Sequence, residues 1–267
     1  MQKILKIRID NISLKEATET ALKWAQGDIK RMIATPNPEM ILEAQKNHKF
    51  LRILNNSNLN IPDGTGLLWA AKYLKITKKT KFKAIKLIKW ATSLLAIAIY
   101  PPYIHSEIKE RVTGADLMQE ICKKSGKLKL KIFLLGAAEG VAEKVKNTLE
   151  KKYPEIKIVG TYAGKPLTTE DTKIIAKVDK SKADIIFVAY GAPSQEFWIA
   201  RNLKKLKTIK LAIGIGGTFD YIAGVQKRSP RWMQKLGLEW LYRLLQQPKR
   251  LRRIYNATIK FPITVGL

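Results

Sequence analysis

The sequence predicts an α/β fold in which a mostly parallel sheet carries helices on both faces, followed by a basic helical appendage. Short apolar segments alternate with helical segments along most of the chain. Apolar strands separated by helices are typical of a parallel sheet that is covered on both sides. Most loops that follow the apolar segments are polar and rich in glycine. Ligands of such sheets bind at this edge, beyond the carboxyl ends of the strands.

The first part of the chain predicts three strands and two helices. A capping box marks the first helix, because Ser13 is followed three residues later by Glu16. Strands are expected at 3–9, 31–35 and 59–62, and helices at about 13–27 and 39–46.

The remainder continues the alternation after a basic interval. Strands are expected at 130–136, 157–162, 184–191 and 209–217, and helices near 115–124 and 139–152. The residues after Pro248 are expected to be loosely held.

Five loops carry the polar residues of this pattern. They lie at 35–39, 62–66, 136–140, 190–196 and 214–220. Because the carboxyl ends of parallel strands share one edge, we expect all five loops to meet there.

The charge balance indicates anionic partners. The 267 residues include 50 Lys and Arg against 22 Asp and Glu, a formal net charge of +28. Folding does not need such an excess, which costs self-repulsion. It is expected to serve nucleic acid, acidic lipid headgroups or phosphorylated substrates.

The single cysteine, Cys122, excludes an internal disulfide and a cysteine-based zinc site. The N-terminus lacks the apolar core of a signal peptide, and no run reaches the roughly 18–20 apolar residues of a membrane span. A cytoplasmic setting is therefore expected.

Two glycine-containing turns are candidates for nucleotide binding. Gly136 and Gly140 lie between a strand and a helix, where backbone N–H groups favour a phosphate. Gly216 and Gly217 precede Asp220, whose carboxylate could accept hydrogen bonds from a ribose or uracil. The alternatives are a tight turn at the first site and a helix cap at the second.

Other loop residues are candidates for the substrate. Thr35 and Asn37 are oriented by neighbouring prolines, although Asn37 could simply cap a helix. Gln195 could hold sugar hydroxyls, whereas Glu196 is expected to be a surface acid that complements a helix dipole. Asp63 stands between a strand and a helix beside two glycines. It could be a cap or a general base.

Seven segments occur in an order that is highly specific, although each is weak alone. They are A-T-P-N-P-E (34–39), I-P-D-G-T-G (61–66), E-R-V-T-G-A-D-L (110–117), L-L-G-A-A-E-G-V-A (134–142), G-A-P-S-Q-E-F-W (191–198), G-I-G-G-T-F-D-Y-I-A-G (214–224) and the basic segment 227–250. Over nearly its whole length, the chain resembles the WecG/TagA/CpsF family of bacterial glycosyltransferases.

The resemblance implies a Rossmann-like domain over 1–225 and a membrane-associating C-terminal appendage over 226–267. It implies inverting transfer of N-acetylmannosamine, or a related sugar, from a UDP donor to an undecaprenyl-diphosphate-linked GlcNAc-type acceptor. This reaction belongs to cell-surface polysaccharide synthesis, such as that of teichoic acid, on the inner face of the plasma membrane. No cofactor and no nucleic acid are expected, and a homo-oligomer is left open.

The matching positions assign roles. Asp63 falls on the family's proposed base, and Thr35, Arg111 and Gln195 on residues near the substrate. Arg243 and Arg250 would bear on the diphosphate or the membrane. Gly191 joins the candidate nucleotide-binding residues. No Asp-x-Asp pair occurs, so no metal on the diphosphate is indicated.

Residues 75–109 depart from the family pattern and look like an insertion. Their lysines alternate with apolar residues, which is typical of a basic amphipathic helix at a membrane surface. A helical hairpin packed on the domain is the alternative.

Two other function classes are alternatives. Nucleic-acid binding is supported only by the charge, because no reader motif is present. A nicotinamide-dependent or nucleotide-sugar-modifying enzyme would use the same core, but the dinucleotide fingerprint is missing.

Overall fold

The computed structural model describes residues 2–230, 232–233 and 236–266. The strands are β1 Gln2–Ile4, β2 Ile7–Ile9, β3 Arg31–Ala34, β4 Leu59–Asn60, β5 Lys131–Gly136, β6 Lys157–Tyr162, β7 Ile185–Ala189 and β8 Leu211–Gly214. Helices before the last strand are α1 Leu14–Gln26, α2 Pro38–Lys46, α3 His48–Asn56, α4 Thr65–Thr77, α5 Lys83–Ile99, α6 Gly114–Ser125, α7 Val141–Lys152, α8 Asp171–Ser181 and α9 Ser194–Asn202. After it come α10 Thr218–Ile222, α11 Glu239–Gln246, α12 Leu251–Tyr255 and α13 Phe261–Gly266.

The central sheet confirms the predicted α/β class. Its six strands run in the order β4-β3-β8-β7-β5-β6, and every neighbouring pair is parallel. Alternate residues of β7 enter two separate apolar cores, with Ile186 and Val188 in one and Ile185 and Phe187 in the other. Helices therefore cover both faces of the sheet, as a parallel sheet requires.

The prediction of one strand at 3–9 is wrong. The segment forms a separate antiparallel hairpin of β1 and β2. Leu5 and Lys6 both have positive φ, at 44° and 70°, which closes a tight two-residue turn. The hairpin buries Ile4, Ile7 and Ile9 in the core.

Residues 75–109 are mostly helical. They include the end of α4, all of α5 and a short 3₁₀-helix, Pro101–Ser106. The indole Nε1 of Trp69 donates to Ser93 Oγ at 2.9 Å, which fixes α5 on α4. In the described ranges, no helix combines the length and apolar character needed to cross a membrane.

The expectation of a loosely held tail is wrong. The chain from α12 to α13 continues through a π-helical turn, Asn256–Lys260, and we call residues 251–266 the C-terminal helix. Phe261 is fully buried in the same core as Trp69, and Trp90 Nε1 donates to the Pro262 carbonyl at 2.9 Å. Within the basic segment, Arg231 and Lys235 lie outside the described residues.

Candidate active site

The ends of neighbouring strands build the centre of the site. Thr35 follows β3, and its hydroxyl donates to the carbonyl of Gly214, at the end of β8, at 3.1 Å. Thr35 is 5% exposed, so this contact fixes two of the predicted loops against each other. The parallel register of β3 and β8 makes the approach possible.

Backbone hydrogen bonds hold the Asp63 loop between two other loops, at Pro36 and Val112. The backbone N–H of Asp63 donates to the Pro36 carbonyl at 2.9 Å, and the N–H of Val112 donates to the Pro62 carbonyl at 3.1 Å. The N–H of Gly114 hydrogen-bonds the Asp63 carboxylate. The half-buried carboxylate therefore has a fixed direction.

The surroundings of Asp63 raise its pKa above the ordinary value for an aspartate. Burial raises the pKa of Asp63 to about 6, and the nearby charge of Glu239 adds to the rise. The positive charges of Arg111 and Arg243 oppose it. Desolvation disfavours a carboxylate, and neighbouring cations restore part of the loss. A carboxyl with this pKa is largely ionised at neutral pH and is still basic enough to accept a proton.

Glu239 connects two of the predicted arginines. Its carboxylate accepts from Arg111 Nη1 at 3.1 Å and from Arg243 Nη2 at 2.5 Å. Although burial opposes it, Arg243 and Arg111 hold the pKa of Glu239 below its usual range. Glu239 is the single acid of the basic segment 227–250, and no role for it was predicted from the sequence. Its partner Arg111 is 128 residues away, which no local pattern reveals.

Two cavities meet at Asp63. The first is built by the start of α4, by α11 and by the C-terminal helix. Its walls include Gly64, Gly66, Arg111, Trp240, Ile254, Ala257 and Thr258. The second lies over the strand ends and is more polar. Its walls include Thr35, Thr113, Gln195, Gly216, Gly217, Tyr221 and Arg228. Both contain Asn37, Asp63, Glu239, Arg243, Arg250 and Arg253.

Most of the predicted residues gather here. Asp63, Asn37, Arg243 and Arg250 lie at the junction, Arg111 lines the first cavity, and Thr35, Gly191, Gln195, Gly216 and Gly217 line the second.

Three predicted residues do not line either cavity. Within the described ranges, the cavity walls do not include Gly136, Gly140 or Asp220. A Cβ at Gly136 would approach the backbone of Ala189 to 2.8 Å, so this glycine allows two strands to lie close together. Gly140 has a φ of 74° and precedes α7 as its N-cap. Asp220 is half-buried, and burial raises its pKa.

Asn37 and Gln195 already hold protein groups in place. The Asn37 side chain accepts from the N–H of Met40 at 3.0 Å and caps α2. Gln195 is 1% exposed; its Oε1 accepts from the Gly216 N–H at 2.9 Å, and its Nε2 donates to Glu196 Oε1 at 2.7 Å. Gln195 thus fixes the turn after β8.

The expectation that Glu196 is a surface acid is wrong. Glu196 is fully buried, because α9 packs over the end of β8. A Cβ at Gly214 would approach Glu196 Oε1 to 2.9 Å, so only glycine leaves room for this carboxyl group. Burial raises the pKa of Glu196 to about 7, and Oε2 has no hydrogen-bond partner in the described part of the chain.

The arginines that line the two cavities differ in how they are paired. Arg228 makes a bidentate ion pair with Asp116 at 2.6 and 2.8 Å, and Arg253 binds Glu39 at 2.8 Å. Among the described residues, no carboxylate forms an ion pair with Arg250. Burial lowers the pKa of Arg250, and Arg253 and Arg243 add to this. A half-buried guanidinium without an ion-pair partner suits an anionic ligand.

Comparison with known proteins gives a consistent result. The model of the glycosyl transferase WecG/TagA/CpsF family matches residues 2–98 and 95–266. A relative from Bacillus subtilis (strain 168) is 31% identical over 238 residues, which cover 89% of this chain and 79% of the relative. One from Staphylococcus aureus (strain MRSA252) is 29% identical over 258 residues, covering 96% of this chain and 89% of the relative.

Both relatives carry the name N-acetylglucosaminyldiphosphoundecaprenol N-acetyl-beta-D-mannosaminyltransferase. The family match spans almost the whole chain, and the seven sequence segments fall within it. The chain belongs to the WecG/TagA/CpsF family of glycosyl transferases.

Proposed function

We propose that the chain transfers N-acetylmannosamine, or a related sugar, from a UDP donor to a polyprenyl-diphosphate-linked GlcNAc acceptor, with inversion at the anomeric carbon. The relatives' names supply the transferred sugar and the acceptor. The observation that carries the mechanism is the position of Asp63, whose carboxylate lies where the two cavities meet.

The second cavity suits the sugar nucleotide. It lies at the carboxyl edge of a parallel sheet, where ligands of such folds bind. Its polar wall offers the backbone around Gly216 and the ring of Tyr221. Arg250 stands at its junction with the first cavity and can bind a diphosphate.

The first cavity suits the acceptor. Trp240, Ile254 and Ala257 give it an apolar wall on the side of α11 and the C-terminal helix. A sugar linked to a lipid diphosphate could place its diphosphate near Arg253 and its hydroxyl near Asp63. The two substrates would then approach the same carboxylate from different cavities.

The proposed reaction is a single displacement. The acceptor hydroxyl oxygen attacks the anomeric carbon, and the bond from that carbon to the UDP oxygen breaks. The hydroxyl proton passes to the Asp63 carboxylate, and UDP leaves with the electron pair. Arg250 and Arg243 can stabilise the charge that develops on the leaving diphosphate.

The lipid acceptor requires the enzyme to work at a membrane. We assign residues 226–267 to a membrane-associating appendage on a Rossmann-like domain, and the protein to the inner face of the plasma membrane. Polysaccharide or teichoic acid synthesis would use the product. Family membership favours this function over nucleic-acid binding and over nicotinamide chemistry.

The test offers a panel of UDP-sugars with a short-chain polyprenyl-diphosphate-GlcNAc and looks for the disaccharide lipid by mass spectrometry. The expected product forms with UDP-N-acetylmannosamine and has the β configuration. A product from another sugar nucleotide alone would overturn the donor assignment.

A further inference from the structure

The helix α5 presents an apolar stripe to solvent. Its inner face packs through Trp90 and Ser93, whose side chains hydrogen-bond the C-terminal helix and α4. Its outer face carries four large apolar side chains at spacings of three, seven and four residues. They are Ile85, Ile88, Leu95 and Ile99, exposed by 43, 62, 61 and 75%. This repeat places them on one side of a helix.

The neighbouring C-terminal helix has the same two-sided character. Its inner side chains, such as Ile254 and Phe261, are buried. Its outer face carries apolar residues at every fourth position, namely Leu251, Tyr255, Ile259 and Ile263, exposed by 61, 53, 48 and 40%. Two helices in contact thus each leave an apolar stripe uncovered.

Positive charge surrounds the start of α5. Lys78, Lys79, Lys81 and Lys83 are exposed, and the segment from 64 to 106 contains no acidic residue. Phe82 lies among these lysines and is 71% exposed. The surface therefore combines uncompensated cations with large apolar groups.

An anionic bilayer matches both properties. Lysines bind lipid phosphates, while apolar and aromatic side chains enter the boundary between headgroups and acyl chains. A second copy of the chain would bring another net charge of +28 against these lysines. A nucleic acid would match the lysines but would leave the apolar stripe in water.

We propose that α5 is a bilayer-docking helix whose outer apolar stripe enters an anionic leaflet beside the C-terminal helix. Docking of α5 does not depend on the proposed function, but its consequence for the acceptor does. Trp90 is bonded to the C-terminal helix, and this helix forms a wall of the first cavity. Docking through α5 would therefore hold that cavity at the membrane, where a lipid-linked acceptor arrives.

Vesicle flotation of the full chain tests this directly. The vesicles contain either phosphatidylcholine alone or equal parts of phosphatidylcholine and phosphatidylglycerol. We expect binding to the anionic vesicles to fall at least tenfold in Ile88→Glu/Leu95→Glu. The control is Leu167→Glu. Leu167 is 53% exposed and follows β6 at one edge of the sheet, whereas α4, on which α5 packs, follows β4 at the other edge. Binding of this control should equal that of the unaltered protein.

A labelling experiment covers the case in which the double variant does not fold. Cys122 is the only cysteine and is buried, so a polarity-sensitive dye will react with a cysteine introduced at the surface. Dye on Leu95→Cys should shift to the blue with anionic vesicles, and dye on Leu167→Cys should not. Equal spectra at both positions, or vesicle binding unaffected by the double variant, would overturn the proposal.

Two further results are informative. If the unaltered protein is a dimer and the double variant a monomer without any change in vesicle binding, the stripe docks a second copy and the proposal is wrong. Transfer to a short-chain acceptor in detergent is measured separately. That assay needs no vesicle. If the unaltered protein docks to vesicles but does not transfer the sugar in detergent, the proposed function is wrong and the docking proposal stands.

Discussion

The guanidinium of Arg111 lies 3.1 Å from the carboxylate of Glu239, and both groups act on the same third residue, Asp63. The positive charge of Arg111 lowers the pKa of Asp63, whereas the negative charge of Glu239 raises it. The ion pair thus balances the basicity of the proposed base. Changing either member should move the pH dependence of the reaction in a known direction.

The first prediction is a pair of opposite shifts. With Asp63 as the base, kcat/KM should rise with pH to a plateau, with its midpoint near the pKa of about 6. Arg111→Gln should move this midpoint to higher pH, and Glu239→Gln should move it to lower pH. The measurement is kcat/KM from pH 5 to 9 with the short-chain acceptor.

The control for these shifts is Glu107→Gln. Glu107 also pairs with a cation, Lys75 at 2.7 Å, but does not line either cavity in the described part of the chain. Its midpoint should not move. Shifts of the same sign in the Arg111 and Glu239 variants would contradict the electrostatic argument, whatever their effect on the maximal rate.

The second prediction separates catalysis from folding at Asp63. Removing a general base should reduce kcat by about 10²- to 10⁴-fold, so we expect a loss of this size in Asp63→Asn. Binding of UDP, followed by calorimetry, should be retained. A variant that keeps full turnover would exclude Asp63 as the base.

Asp63→Asn should also stabilise the protein. The folded-state pKa of Asp63, about 6, is above its ordinary value of 3.8. Its contribution to stability is therefore complete at low pH and is lost as pH rises through 6. Each pKa unit is worth about 1.4 kcal/mol, which partial exposure reduces, so we expect a gain of about 1–2 kcal/mol at pH 8. Urea unfolding should show no gain below pH 4.

The third prediction concerns the buried Glu196. Its folded-state pKa is about 7 against an ordinary 4.5, so its contribution is present below 4.5 and is lost as pH rises through 7. Between pH 5 and 8 this loss should amount to about 3 kcal/mol at most. In urea unfolding, Glu196→Gln should reduce the fall in unfolding free energy between pH 5 and 8. The control is Glu139→Gln, whose side chain is exposed, and this variant should show the same fall as the unaltered protein. A variant with the unaltered slope would show that Glu196 does not change its ionisation there.

The sequence was sufficient for the sheet and for the gathering of four of the five predicted loops, because both follow from repeated local patterns; the described cavity walls include no residue of the loop at 136–140. Apolar strands and intervening helices specify a parallel sheet, and a parallel sheet places Thr35 and Gly214 at one edge. Contacts between distant segments could not be predicted in this way. The bridge from Arg111 to Glu239 and the burial of Glu196 against Gly214 depend on packing that no spacing along the chain encodes.

The fourth prediction uses the unpaired Arg250. If this guanidinium binds the diphosphate of the donor, Arg250→Gln should raise the KM for the UDP-sugar about 10- to 100-fold. This is the effect expected from losing a charged hydrogen bond of about 1.5–3 kcal/mol. Stability should change little, because Arg250 has no ion pair among the described residues and only its weaker attraction to Asp220 and Glu39 is lost. Arg252→Gln is the control, since Arg252 is exposed and does not occur among the described cavity walls. Equal KM values for the two variants would remove Arg250 from the substrate site.

The last prediction concerns Phe261, which ties the C-terminal helix to the domain. Its ring is fully buried and lies within 3.6 Å of the position that a Cβ on Gly66 would occupy. Replacing a buried Phe by Ala typically costs about 3–5 kcal/mol, and we expect this loss for Phe261→Ala. Ile263, two residues away and 40% exposed, is the control; its change to Ala should cost about 0.5 kcal/mol or less. Equal unfolding free energies would mean that the helix does not stabilise the domain. A clear difference would also mean that a deletion of residues 226–267 exposes the core. Substitutions on the outer face are therefore a better test of membrane binding than such a deletion.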